Sequence, residues 1–168
     1  SFDAGNAAIS QELLGAASSA ERTDIINWAI GADNQDENTN SNVSEMRPSI
    51  HGDVMHSRPV ALNYGSVDAP RVVVYYGAND GLLHAVNGNS SSSIGTVPAG
   101  GEIWSFMPPE FYPSIKRLRD NKVTISFPGH TTGSPLPQPK SYGMDGSITA
   151  VQQNGSTWIY AAMRRGGR

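Results

Sequence analysis

The chain contains no cysteine, which excludes a disulfide framework and any thiolate metal centre without by itself choosing a compartment. No apolar run approaches the roughly 18 to 20 residues that a membrane-spanning helix needs. Excess positive charge is missing too. Twelve Lys and Arg stand against fifteen Asp and Glu, a net charge of −3, and this balance argues against a nucleic-acid binder. There is no amino-terminal leader pattern, and an opening of Ser1, Phe2 and Asp3 instead of methionine reads as a segment of a longer polypeptide.

Glycine (18) and proline (11) are plentiful, and Ser, Asn and Thr crowd the gaps between short apolar runs. Such a composition in 168 residues suits one ordinary domain of many short strands joined by turns. The first thirty residues differ. Ser18, Ser19, Ala20 and Glu21 fit a capping box, Ile25, Ile26, Trp28, Ala29 and Ile30 supply an apolar face, and Gly31 is suited to a helix stop. A shorter helix is expected around residues 10–17. Residues 31–46 are polar and acidic, a loop.

From there the texture changes. Residues 56–64, 71–76, 82–87 and 102–107 are short apolar or alternating runs bounded by Gly, Asn, Asp, Pro or Ser, as strands are. Val72, Val73, Val74, Tyr75 and Tyr76 do not alternate, which predicts a strand covered on both faces. Residues 89–101 form a flexible connection. Residues 108–121 open with prolines suited to a first helical turn, and Phe111, Ile115 and Leu118 recur at helical spacing. Residues 128–141 read as an ordered, proline-rich loop. Strands resume at 147–152 and 157–163 around the turn signal Asn154-Gly155, and residues 164–168 look like the next turn. Four antiparallel strands followed by a further hairpin match a β-propeller blade and the start of a second. A sandwich shares that pattern, and the strand apolar on both faces favours the blade. The domain reading is therefore residues 1–45 as a helical segment with its acidic loop, and 46–168 as blade one and the start of blade two, with an insertion at about 108–141.

Several segments occur together and in order: MRPSIHGDVMHSRPVALNYG, VVVYYGANDGLLHAVNG, GEIWSFMPPEF, YGMDGSITAV and AAMRRGGR. From about Ile25 to its end the chain resembles the C-terminal domain of PilC/PilY-type proteins, bacterial type IV pilus (fimbrium) biogenesis factors and tip-associated adhesins. The resemblance implies an all-β fold: a modified, quinoprotein-like β-propeller with short N-terminal helices, here an incomplete one of about one and a half blades. It implies an exported, non-enzymatic protein at the bacterial cell surface, outer membrane or pilus tip. There it supports pilus assembly, antagonises retraction and contributes to twitching motility and cell adhesion. Its partners would be minor pilins or the pilus tip, a host or abiotic surface reached through other parts of the parent protein, and the remaining blades, with no nucleic acid. Some members bind calcium; no organic cofactor is expected. Two alternatives share the blade pattern: a pyrroloquinoline-quinone (PQQ)-dependent dehydrogenase-like enzyme, and a general propeller scaffold for protein interaction.

The residues themselves carry few chemical signals. Asp36, Asn38 and Asn40 place oxygens at alternate positions, as at the start of an EF-hand-type loop, which suits a hard cation. The sixth position is Ser41 rather than glycine and the twelfth is Arg47, so only Ser44 or Glu45 can close the shell. Asp36, Asn38, Asn40 and Ser44 are the candidate calcium ligands, against a plain solvated acidic loop. Asn79, Asp80 and Gly81 read as a two-residue hairpin turn without chemistry. His51, His56, His84 and His130 lack metalloenzyme spacing, and His51 and His56 should point to opposite faces. No nucleophile elbow or phosphate-binding loop is present, so no catalytic residue is assigned. Trp104, Phe106, Trp158 and Tyr160 are expected in the core or between blades. Lys116, Arg117, Arg119 and Lys122 are expected on a solvated helix face.

Overall fold

The structure, a computed structural model, describes residues 1–167. Two compact units share the chain: Ser1–His51 with Pro109–Ser141, and Gly52–Pro108 with the chain from Tyr142 onward. Residues 46–51 lie with the first unit because their backbone is tied there. Asp33 N–H donates to Glu45 O, and Arg47 N–H donates to Gly31 O.

In the first unit, α1 (Gln11–Leu14) starts at Ser10, whose side chain accepts from Leu13 N–H, and stops at Gly15 with φ 62°. Helix α2 (Ser19–Ala29) follows from the expected capping serine. Ser18 Oγ accepts from Glu21 N–H at 3.1 Å, while the Glu21 carboxylate reaches past the cap to Ala17 N–H. Pro109–Phe111 form a 3₁₀ turn leading into α3 (Tyr112–Asp120), with Pro113 in its first turn, where its missing N–H costs nothing. Both α1 and α2 pack against α3. Leu14, Ile25, Ile26, Phe111 and Ile115 are buried, each such side chain stabilising the fold by roughly 1.5–3 kcal/mol before entropy is counted. Of the basic residues expected on a solvated face, Lys122 is exposed, whereas Lys116, Arg117 and Arg119 are half-buried. Lys116 pairs with Glu21 and Asp120, and Arg119 with Asn34 and Asp120.

In the second unit, β1 (Val60–Asn63), β2 (Val72–Gly77), β3 (Leu83–Asn87) and β4 (Glu102–Phe106) form one antiparallel sheet in chain order. A second sheet is the hairpin of β5 (Ile148–Gln153) and β6 (Ser156–Ala161). Asn154 and Gly155 both take positive φ at its turn, as a two-residue connection demands. The β2–β3 connection is longer than the expected two residues. Gly77 pairs with Leu83, and residues 78–82 close the turn through Ala78 N–H to Leu82 O and Gly81 N–H to Ala78 O. Gly81 alone in that turn has positive φ, 94°. The protein is thus mostly β, with two antiparallel sheets and few helices.

Two packing expectations are corrected. Strand β2 is not equally covered on both faces: Val73, Tyr75 and Gly77 are buried, and Val72, Val74 and Tyr76 are half-buried. Its letters are apolar on both sides, but pairing on one sheet puts only alternate residues into the core. Nor are the four aromatics core residues. Trp104, Phe106, Trp158 and Tyr160 are 42, 54, 45 and 61% exposed. The reason is position, for β4 is the edge of its sheet and β6 belongs to a sheet of two strands. Trp104 still leans on buried Tyr75, their ring centres 5.8 Å apart.

Candidate functional site

The acidic loop is held in shape by its own side chains. Asp36, Thr39 and Ser41 have φ values of 51°, 57° and 66°, left-handed conformations that Asn and Asp tolerate better than most residues. Asp36 Oδ1 accepts from Asn40 and Ser41 N–H, Asn38 Oδ1 from Asn40 N–H, Asn40 Oδ1 from Asn42 N–H, and Asn42 Oδ1 from Ser44 N–H. The amide nitrogens of Asn38, Asn40 and Asn42 all donate to the Glu45 carboxylate, at 2.7, 2.6 and 3.2 Å. The Asn38 and Asn40 side chains thus meet at Glu45, while Asp36 binds the backbone of residues 40 and 41. Of the two residues able to close the ring, the side chain at its centre is Glu45, whereas Ser44 takes part through its backbone N–H.

Tested for a calcium ion, this donor set fits in kind: oxygens only, with Asp36 and Glu45 as carboxylates. In the present arrangement, however, amide nitrogens rather than oxygens face Glu45. Among the described residues no three His, Cys, Asp or Glu side chains gather as a metal centre. The loop is anchored next door: Trp28 Nε1–H donates to Glu37 at 2.7 Å, and the Arg47 guanidinium lies 3.8 Å from the centre of the Trp28 ring.

A second charged cluster lies in the other unit, among residues read from the sequence as ordinary. His84 on β3 is buried, 3% exposed. Its Nδ1 faces Glu102 Oε2 at 2.5 Å and its Nε2 faces Asp80 Oδ2 at 3.2 Å. Tyr76 stacks on the ring at 5.1 Å. Asp80 also accepts Gly52 N–H at 2.8 Å and Leu82 N–H at 2.9 Å. Asp80 therefore does more than turn the chain: it pins segment 52 and β3 to the hairpin end. Burial by itself would push His84 down, but the hydrogen bonds and charge of Asp80 and Glu102 outweigh it and hold the imidazole up at about 9. Burial pushes Asp80 up, and its bonds to His84, Gly52 and Leu82 more than reverse this, leaving it below the usual carboxylate value. The bond from His84 likewise lowers Glu102 against the opposing effect of burial.

His56 and Asp145 form a related pair. His56 Nδ1 lies 2.9 and 2.8 Å from the two oxygens of Asp145, whose side chain is 1% exposed. Nearby, Asn79 ties the hairpin turn to its surroundings. Its Oδ1 accepts from Gly143 N–H and its Nδ2 donates to Asp53. Gly143 has no room for a side chain, since a Cβ would lie 2.6 Å from Gly81 N and 2.7 Å from Ala78 O. Apart from Asp80 with its neighbours Leu82 and His84, these pairs were not legible from spacing, because they join residues 18 to 89 positions apart. The only local signal was Asp80 and His84, four residues apart across a turn.

Both charged clusters orient backbone, and in the His84 cluster the Ser105 hydroxyl also donates to Glu102. Compared with protein-family models, curated proteins and solved structures, the chain matches none.

Proposed function

We propose that this chain is part of a non-enzymatic type IV pilus assembly and adhesion factor, exported to the bacterial cell surface, outer membrane or pilus tip. The observation that carries the reading is the ordered set of motifs from residue 46 to residue 168, each resembling the PilC/PilY-type C-terminal domain. In this reading β1–β4 are the first blade of a modified propeller and β5–β6 begin the second. The half-buried face of β2 and the exposed Trp104, Phe106, Trp158 and Tyr160 are surfaces suited to cover by neighbouring blades, which are partners of this segment together with minor pilins or the pilus tip. Deleting the parent gene should reduce surface pili, counted by electron microscopy, and shrink twitching zones. Unchanged piliation and motility in the deletion strain would refute the assignment.

Calcium modulates the protein through the acidic loop in the same reading, with Asp36, Asn38, Asn40 and Ser44 as candidate ligands and Glu45 closing the shell. Few carboxylates on an exposed loop predict modest affinity. Calorimetric titration of calcium into the wild-type chain should release heat that the Asp36→Ala, Asn38→Ala double variant does not. Equal heats from both proteins would remove the loop as a site.

A further inference from the structure

The His84 cluster makes a demand that the pilus reading does not use. A carboxylate only accepts hydrogen bonds, and a neutral imidazole has only one N–H to give. Here both ring nitrogens face carboxylate oxygens, Glu102 on one side and Asp80 on the other. The two contacts coexist only while the imidazole carries both protons. Remove one, and a lone pair points at a carboxylate oxygen inside a buried site, so one partner has to leave.

The surroundings decide which. Asp80 is held by the backbone N–H groups of Gly52 and Leu82 as well, and its side chain is 13% exposed. Glu102 also accepts from the Ser105 hydroxyl, but that residue belongs to β4 itself; its side chain is 45% exposed, at the first residue of the edge strand, and has water within reach. The β3–β4 ladder is already irregular there, with a register shift between Ala85 and Val86, the residue that pairs with Glu102. A bulge of this kind interrupts ladder bonding, so the end of β4 leans on the side-chain bridge.

We propose that His84, Asp80 and Glu102 form a proton-operated latch that fastens edge strand β4 to the β2–β3 hairpin, closed while the imidazole keeps both protons and open once it releases one. Two charged groups that face the ring are Asp80 from the hairpin connection and Glu102 from β4. Tyr76, stacked on it from β2, is held neutral by burial and by the same two carboxylates. With the imidazole pushed up to about 9, the latch stays shut at neutral pH and opens in mildly alkaline surroundings, loosening Trp104 and the rest of β4 at the edge of the sheet.

The test is ¹⁵N NMR of the whole chain between pH 6 and 10, following the His84 ring, the Trp104 indole and the amides of residues 102–106. The wild type should show one shared transition centred near pH 9, with β4 amide exchange rising above its intrinsic base-catalysed rate over the same range. In Glu102→Gln the His84 midpoint should fall by about one pH unit or more, as loss of a close opposite charge requires, and β4 exchange should already be raised at pH 7. The Trp158 indole signal on β6 serves as the check that the variant is folded. A neutral His84 at pH 7 would overturn the latch. So would β4 signals that stay flat while His84 titrates, or a Glu102→Gln profile that matches the wild type.

Discussion

Two carboxylate-centred clusters, one on the acidic loop and one around His84, reverse the usual relation between what is legible and what matters energetically. The loop is contiguous, and its polar side chains sit at alternate positions over ten residues. Yet almost all of them are exposed, and the hydrogen bonds onto Glu45 replace bonds that water would otherwise make. The His84 cluster draws on three stretches of chain and has no motif. Its cation is buried between two anions, out of reach of water's compensation. Charge pairs in water contribute little, whereas removing one member of a buried set strands the others.

Breaking the buried cluster should have the largest effect. Asp80→Ala removes acceptors for Gly52 and Leu82 N–H and takes one of the two carboxylates from His84. Unfolding in urea should show a loss of about 3 kcal/mol, the lower end of the range for a broken buried pair. A loss no larger than that of an exposed substitution would mean that the two clusters do not differ as described.

The next largest effect is pH dependence of the His84 cluster. His84 is raised from its ordinary value near 6.5 to about 9, so the native state binds a proton more tightly than the unfolded chain. Its contribution is fully present below about pH 6.5 and is lost as pH rises through 9. Asp80 and Glu102 are lowered, so theirs is present above the ordinary carboxylate values and is lost as pH falls through the depressed ones. Urea midpoints should therefore be highest around pH 5 to 6.5 and fall steadily from pH 7 to 9. In His84→Gln the fall between pH 7 and 9 should flatten, and an unchanged slope would assign it to another group.

The smallest effect should come from the loop itself. Glu45 is half-buried, but the three asparagine amides that Glu45→Ala releases belong to exposed residues, so its cost should stay within about 0.5 kcal/mol in calcium-free buffer. A cost of several kcal/mol would show that the loop organises the helical unit, through Glu37, Arg47 and Trp28.

How much of this could be read beforehand depends on the distance over which each feature is decided. The Ser18 cap, the Asn154-Gly155 turn and the alternating oxygens of residues 36–40 stood in the letters, because capping, turn geometry and side-chain alternation are settled within a few residues. Strands β2, β3 and β4 lie within a residue of their expected bounds for the same reason, whereas β1 was read too long at its start. The aromatics were read as core or inter-blade residues because large aromatics are usually buried; edge position is a property of the sheet and is absent from the strand's own letters. His84 looked ordinary because Glu102 lies eighteen residues away and meets it only after a hairpin, a connection and a register shift have been laid down.

The sequence by itself determined the local grammar of this protein: where helices begin, where strands turn back, and which loop is polar enough to stay in water. Only the tertiary structure decided which charges meet and which apolar faces are covered. The physical reason is that backbone geometry and capping act over a few residues, while desolvation and ion pairing depend on neighbours that the chain supplies from tens of positions away.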